Sequence, residues 1–99
     1  MLNIEKKACG KELVLNLEGR LDTLSSPELE KVLKEELDDV TDLTIDMKNL
    51  EYISSAGLRV LLYGQKRMRT EGSMRIKNVN ETIQEIFEVT GFNDILTIE

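Results

Sequence analysis

Residues 43–63 constrain the fold of this chain more than any other stretch of its sequence. They begin with the apolar run 43–47, which is typical of a strand at the centre of a sheet. A short polar connection, residues 49–53, follows this strand, and an amphipathic helix then begins near Ser54 or Ser55. A strand that leads through a short connection into a helix is the repeating unit of parallel sheets. This stretch therefore predicts an α/β fold.

The two serines at the start of this helix can play several roles. Ser54 and Ser55 can each cap the helix, because a serine oxygen accepts hydrogen bonds from the free N–H groups of the first turn. The same N–H groups, together with the helix dipole, favour a phosphate or another anion at this position. A serine here is therefore a cap, part of an anion site or a target of phosphorylation, and the residues alone leave all three roles open.

The other patterns predict an opening hairpin, after which strand and helix alternate three times. Strands at residues 2–8 and 12–18 are separated by too few residues for a crossover, so they must pair antiparallel. The later predicted elements are a helix capped by Ser26, the strand 43–47, a helix ending near Thr70 or Glu71, a strand at Met74 and Ile76, a helix between Asn80 and Gly91, and a last strand or tail at Ile95 to Ile98. The expected fold class is a single α/β domain over residues 1–99, with an N-terminal antiparallel hairpin leading into a mostly parallel mixed sheet with three to four helices.

This fold predicts where a binding site lies. In a parallel sheet the loops at the carboxyl ends of the strands cluster at one edge and hold the ligand or partner. We expect Gly19 to end the second strand, so that Asp22 lies in the loop after it. Ser54 and Ser55 follow the central strand. Asp22 and the two serines are therefore expected at the same edge of the sheet.

Size and composition predict one globular domain. The chain has 99 residues, of which 40% are hydrophobic and 32% are charged, a normal balance for such a domain. No apolar run approaches the roughly 20 residues that span a bilayer, and the N-terminal residues lack the apolar stretch of a signal peptide. We therefore expect a cytoplasmic protein that does not act at a membrane.

The residue types that are scarce or missing argue against several kinds of site. The sequence has no histidine, so it lacks the usual zinc ligands and the commonest general base, and we predict neither a metal nor a cofactor. Its single cysteine, Cys9, cannot form an internal disulfide. A net charge of −6 argues against general nucleic-acid binding, which depends on cationic contacts to phosphate. Composition therefore favours a protein-binding module over an enzyme.

The run from Leu50 to Leu58 resembles the signature of the STAS family, the bacterial anti-sigma factor antagonists. In that family the helix opens with Asp-Ser-x-Gly-Leu, whereas this chain has a serine in place of the aspartate. The earlier run Gly19-Arg20-Leu21-Asp22 resembles the Gly-x-Leu-Asp of the family, whose aspartate lies beside the serine of the helix. The order of the elements agrees with this family over nearly the whole chain.

The resemblance implies a phosphorylation switch at Ser55. The family serine is phosphorylated by a partner that is both anti-sigma factor and serine kinase, and only the unphosphorylated form captures that partner and frees sigma. A PP2C-type phosphatase is the second partner expected. Because the family aspartate is replaced by Ser54, this residue is a second possible phosphate acceptor. The predicted site residues around Ser55 are Asp22, Ser54, Ala56, Gly57, Leu58 and Arg59.

Two residues of the first helical turn each allow two interpretations. Gly57 leaves bare backbone, which permits either close approach by a phosphate or partner, or tight packing of the helix on the sheet. Arg59 is a cation at the positive end of the helix dipole, where it costs roughly 0.3 to 1 kcal/mol. Arg59 is therefore either a surface residue whose small cost is tolerated, or a residue that pairs with an anion such as a phosphate or an acidic residue of a partner.

Three rival functions have weaker support in the sequence. The first is a STAS domain that has lost phosphorylation and serves as a constitutive docking module. The second is a module that senses a nucleotide or another small molecule, although no Gly-x-x-x-x-Gly-Lys-Ser/Thr loop is present to bind a polyphosphate. The third is a serine hydrolase, which would need a Gly-x-Ser-x-Gly turn and a histidine that the chain does not have.

Overall fold

The centre of the structure is a four-stranded sheet with the strand order β1-β2-β3-β4. The coordinates are a computed structural model, which describes residues 1–99 except for the side chain of Glu71. The strands are β1 (Leu2–Cys9), β2 (Glu12–Leu21), β3 (Asp42–Ile53) and β4 (Ser73–Lys77). β1 and β2 pair antiparallel, whereas β2 with β3 and β3 with β4 pair parallel. This confirms the predicted α/β fold, in which a hairpin leads into a mostly parallel sheet.

Three α-helices and one turn of 3₁₀-helix complete the chain. They are α1 (Ser26–Glu36), α2 (Ser55–Glu71), α3 (Glu81–Thr90) and the 3₁₀ turn Phe92–Asp94. Over the described residues, none of these helices is both long and apolar enough to cross a membrane. Residues 95–98, predicted as a last strand or a tail, form no named strand, but Ile98 makes an isolated parallel bridge with Ile76.

The core is built from the alternate residues that point to one face of the sheet. On β2 these are Leu13, Leu15 and Leu17, all of which are buried, as the alternating pattern predicts. The same core includes residues from every α-helix and the other strands. Its members outside β2 include Leu29, Leu33, Leu43, Ile45, Met47, Leu61, Ile76 and Phe87.

β2 and β3 are both longer than the sequence predicts. Gly19 does not end β2, and residues 49–53, expected as a connection, form the last part of β3. The register shifts twice between the strands, and β3 has one extra residue at each shift. Such bulges interrupt the alternation of apolar and polar residues, so these residues look like a loop in the sequence.

Gly19 is needed where it lies because another part of the backbone approaches it. Its φ is +101°, and a Cβ at this position would lie 2.2 Å from the carbonyl oxygen of Met1. The N–H of Arg20 donates a hydrogen bond to the same oxygen, with an N–O distance of 3.0 Å. The glycine therefore permits a close contact within the hairpin and does not mark the end of the strand.

The helix ends agree with the sequence at α3 and differ at α1. Asn80 caps α3 by accepting a hydrogen bond from the N–H of Ile83 at 2.9 Å, and Gly91 ends it in the left-handed conformation at φ 80°. The predicted Ser26 cap of α1 is wrong, because Ser26 is already helical and Ser25 is the cap residue. The Ser26 hydroxyl instead donates to the carbonyl oxygen of Asp22.

Candidate functional site

The loop that contains Asp22 and the start of α2 lie side by side. The ends of β2 and β3 are paired, with Leu21 opposite Ile53. One residue further on, the N–H of Ser54 donates to the carbonyl oxygen of Leu21, with an N–O distance of 2.9 Å. The sheet therefore brings the two predicted loops to the same edge, as the strand pattern predicts.

Ser54 and Ser55 have different surroundings although they are neighbours in the chain. Ser54 is the cap of α2: its backbone is extended, and its Oγ accepts a hydrogen bond from the N–H of Gly57 at 3.4 Å. It is half-buried. Ser55 is the first residue of the helix, it is exposed, and its hydroxyl makes no hydrogen bond within the described structure. Of the two hydroxyls, that of Ser55 is therefore the more accessible to another protein.

Gly57 is buried, and its surroundings support the packing interpretation. A Cβ on this residue would lie 2.8 Å from Cγ and 2.9 Å from the carbonyl oxygen of Leu21, and 3.1 Å from Cγ2 of Ile53. All three are tighter than ordinary van der Waals contacts. The missing side chain thus lets α2 begin directly on the ends of β2 and β3.

Grooves lie on both sides of the α2 start. The first, about 430 Å³ in volume, separates it from α3 and is largely apolar, and its lining includes Leu58, Val89 and the two serines. The second, about 230 Å³, separates it from α1 and is lined in part by Ala56 and Arg59. Arg59 is exposed and forms no ion pair with a described side chain. Ser54, Ser55 and Leu58 therefore line one groove, and Ala56 and Arg59 line the other.

The carboxylate of Asp22 binds the loop that contains it. Its Oδ1 accepts hydrogen bonds from the backbone N–H groups of Leu24 and Ser25 and from the Ser25 hydroxyl, each at 3.1 Å. No hydrogen bond joins it to Ser54 or Ser55 within the described structure. The backbone next to Asp22 is therefore hydrogen-bonded to the start of α2, whereas the side chain of Asp22 stabilises its own turn.

These hydrogen bonds make the stability contributed by Asp22 depend on pH. The N–H of Ser25, followed by the Ser25 hydroxyl and the N–H of Leu24, lowers the pKa of Asp22 below its ordinary value of 3.8, although partial desolvation opposes this. Because the folded protein favours the carboxylate, this contribution is present above the unfolded pKa and is lost as the pH falls through the lower, folded pKa.

We therefore expect Asp22→Asn to be less stable than the native protein at neutral pH, and the difference to shrink below about pH 4. Urea unfolding of both proteins at a series of pH values measures it. A difference that stays constant down to about pH 2 would show that the charge of Asp22 does not contribute.

Arg20 and Tyr52 are two residues of this edge that sequence reasoning missed. The Arg20 guanidinium carbon lies 4.6 Å from the centre of the Tyr52 ring, and Arg20 Nε lies 3.9 Å from Oδ2 of Asp22. The two are register partners on β2 and β3, beyond the points where the sequence predicts these strands to end. Extending both strands with an unbroken register would have paired Arg20 with Leu50, so it is the two extra residues of β3 that bring Tyr52 opposite Arg20.

Among the described residues, no group of histidine, cysteine, aspartate and glutamate has the geometry to hold a metal ion. The groups that this edge presents are the exposed Ser55 hydroxyl, the cations of Arg20 and Arg59, and apolar side chains. Such an arrangement can bind another protein surface or accept a covalent anion at Ser55.

Comparisons of this sequence with those of known proteins agree with one another. The family model of the STAS domain matches residues 3–99. The anti-sigma-B factor antagonist of Bacillus subtilis strain 168 is 30% identical over 98 residues, covering 98% of this chain and 90% of that protein. This coverage leaves neither chain with a large unmatched region.

Solved structures show the same fold. The crystal structure of an anti-sigma factor antagonist from Mycobacterium paratuberculosis has a TM-score of 0.89 at 18% identity, covering 99% of this chain and 85% of that chain. The structure of the Bacillus cell fate determinant SpoIIAA in its phosphorylated form has a TM-score of 0.66 at 16% identity, covering 100% of this chain and 91% of that one. Because both sequence identities are below 20%, these two comparisons show a similarity of fold only.

Proposed function

This chain belongs to the STAS domain family, and we propose that it is an anti-sigma factor antagonist whose docking is switched off by phosphorylation of Ser55. In the unphosphorylated state it sequesters an anti-sigma factor that is also a serine kinase. The observation that carries the proposal is the exposed hydroxyl of Ser55 at the first position of α2, which makes no hydrogen bond to any described residue. The likeness to a B. subtilis protein named as such an antagonist supports it.

The surroundings of the two serines favour Ser55 as the phosphate acceptor. A kinase needs a hydroxyl that it can reach, and Ser55 offers one without breaking a contact. Ser54 is half-buried, and its Oγ is occupied as the cap of α2. Phosphorylating Ser54 would therefore remove a cap that typically contributes about 1 kcal/mol to stability.

A phosphate on Ser55 would leave α2 folded. It adds roughly 1.5 to 2 negative charges, which suit the positive end of the helix dipole. Arg59 lies four residues later, at the spacing that places two side chains on the same helix face, so it can pair with the phosphate. The change is therefore confined to the surface: a bulky anion replaces a small neutral group on the face that docks.

The effect on docking follows from the same charge. A phosphate at the interface must lose water and would meet any carboxylate that the partner presents, so the complex is weakened while the free protein is not. Each 1.4 kcal/mol changes an affinity about tenfold, so a loss of a few kcal/mol is sufficient for a switch. Removal of the phosphate, by a phosphatase of the PP2C type, would restore docking.

A second function is favoured by one departure from the family motif. Ser54 replaces the family aspartate, and it retains the cap without the charge. If that charge is needed by the kinase, the chain is a constitutive docking module of the same partner. Under that alternative Ser55→Ala would leave both binding and its regulation unchanged.

The switch is tested by incubating the protein with ATP and its cognate anti-sigma kinase, then mapping phosphate by mass spectrometry. We expect modification of Ser55 alone. Ser55→Ala should abolish it, whereas Ser54→Asp, which removes the other hydroxyl and keeps a cap, should not. Phosphate on neither serine would refute the switch, and phosphate on Ser54 alone would show that the assignment to Ser55 is wrong.

A further inference from the structure

Arg59 is a cation close to Ser55 that no acid of the described residues neutralises. It is exposed and lies near the start of α2, where a positive charge opposes the helix dipole. It forms no ion pair with a described side chain. The first turns of α1 and α3 contain the acids Glu28 and Glu81, whereas the first turn of α2 contains none. The position of Arg59 therefore has a small electrostatic cost that no described contact offsets.

The other cation of this edge, Arg20, already has partners. Its guanidinium carbon lies 4.6 Å from the centre of the Tyr52 ring, and its Nε lies 3.9 Å from Oδ2 of Asp22. A move of Arg20 toward a new anion would break both contacts. Arg59 is therefore the cation of this edge that can bind an anion on Ser55 at the lower cost.

The geometry of the helix directs the side chain of Arg59 toward Ser55. The Cα–Cβ bonds of a helix tilt toward its N-terminus, so a long side chain covers the surface of the preceding turn. Ser55 lies four residues before Arg59 and thus on the same side of α2. An acid four residues before a base is also the order that stabilises a helix better. A phosphate on Ser55 would therefore lie within reach of the guanidinium, which can bind two phosphate oxygens at once.

The α3 side of Ser55 disfavours a phosphate. Ser55 lines the largely apolar groove between α2 and α3, and the carboxylate side chain of Glu85 lines it as well. The apolar lining cannot replace the water of a phosphate, and the charge of Glu85 would repel it. On the α1 side, Glu30 lines the same groove as Arg59, but its Oε1 lies 3.8 Å from Nζ of Lys34. The α1 side therefore attracts a phosphate more than the α3 side does.

We propose that Arg59 is a positioning residue for the phosphate of modified Ser55: its guanidinium pairs with the phosphate, turns it away from the α3 groove and keeps it doubly ionised at neutral pH. The inference rests on the function proposed above and concerns the regulation of the same site. A phosphoserine loses its second proton near about pH 6, so a cation beside it increases the fraction that is fully charged. Because the proposed switch works by charge, Arg59 would set its strength.

The test uses protein in which phosphoserine is incorporated at position 55 during translation, so it does not depend on a kinase. Phosphorus NMR follows the ionisation of the phosphate as the pH is varied. We expect Arg59→Gln to raise the midpoint of this titration by about 0.2 to 0.7 pH unit, because the cation that favours the doubly charged form is lost. Arg59→Lys keeps the charge and should raise it less.

Arg69→Gln is the matched control for the titration. It removes the same charge from an exposed position near the other end of α2, so the midpoint should not change. A midpoint that Arg59→Gln leaves unchanged, or that Arg69→Gln raises equally, would overturn the pairing of Arg59 with the phosphate.

Two further variants test the direction in which the phosphate lies. Glu85→Gln should lower the midpoint only slightly, because the phosphate is turned away from α3. A fall in Glu85→Gln as large as the rise in Arg59→Gln would show that the phosphate faces α3 and would overturn its orientation. A larger rise in Arg20→Gln than in Arg59→Gln would overturn the assignment to Arg59.

Melting temperatures distinguish pairing from a purely structural role of Arg59. Without the phosphate, Arg59→Gln should keep or raise the melting temperature, because it removes a charge that opposes the helix dipole. With phosphoserine at position 55, the same substitution should lower it by about 2 to 5 °C, since the ion pair is lost. An equal effect in both forms would mean that Arg59 and the phosphate do not interact, which would overturn the inference.

The outcomes separate this inference from the function on which it rests. If the cognate kinase does not modify Ser55, or binds the modified protein with native affinity, the proposed function is contradicted, and the titration still decides the role of Arg59. If Ser55 is modified and docking is lost, but Arg59→Gln leaves the midpoint unchanged, only the inference about Arg59 is contradicted.

Discussion

Ser55→Asp is expected to bind the anti-sigma partner at least about tenfold, and up to about a hundredfold, more weakly than the native protein. The aspartate adds a full negative charge at the exposed first position of α2, where the native residue is a small neutral hydroxyl. Its melting temperature should not fall, since an acid suits the start of a helix. Calorimetric titration of the unphosphorylated proteins with the kinase measures the difference.

Two further variants show which property of the aspartate is responsible. Ser55→Asn has nearly the same shape without the charge, so it should lose less affinity than Ser55→Asp. Thr70→Asp adds the same charge to an exposed position near the other end of α2, about 22 Å away at 1.5 Å per residue, and should bind normally. Native affinity in Ser55→Asp would contradict the switch, because a charge at that position would then have no influence on docking.

Gly57→Ala is expected to destabilise the protein by about 1 to 3 kcal/mol, the usual cost of overpacking a core. The added Cβ would lie 2.9 Å from the carbonyl oxygen of Leu21, which is backbone and cannot move aside easily. The gain in helix propensity from glycine to alanine is at most about 1 kcal/mol, so the clash should outweigh it. Thermal unfolding should show a melting temperature lower by on the order of 10 °C.

Gly64→Ala is the matched control, because it makes the same substitution in the same helix. There the new Cβ would meet Sδ of Met74 at 3.1 Å and Cδ1 of Leu33 at 3.2 Å, which are the far ends of flexible side chains. We expect a change near zero, since the gain in helix propensity offsets a small rearrangement. Equal effects of the two substitutions would contradict the assignment of Gly57 to tight packing on β2.

The fold and the position of the site could largely be predicted because both depend on local patterns. The alternation at Leu13, Leu15 and Leu17 identifies β2 as half-buried, and the short turn after β1 requires an antiparallel pair. A serine before an amphipathic helix predicts its start, and Ser54 is the cap that the structure shows. Each of these features depends only on residues that are close to one another in the sequence.

Other features were decided by contacts between distant residues. The ends of β2 and β3 pair through two bulges, which break the local alternation and made residues 49–53 look like a loop. The side chain of Asp22 could face either its own turn or the serines, and only the folded structure shows that it binds the N–H groups of its own turn. The sequence likewise left the role of Gly57 open.

The sequence by itself determined the α/β class, the order of its elements and the serines at the start of α2, because apolar periodicity and helix caps are properties of neighbouring residues. The tertiary structure alone decided that Ser55 is exposed while the Oγ of Ser54 is hydrogen-bonded. It also decided that neighbouring atoms fill the space where a side chain of Gly57 would lie, and that Leu24 is exposed to solvent. Burial and hydrogen-bond partners depend on which distant segments of the chain come into contact, and the local sequence of one segment does not specify those contacts.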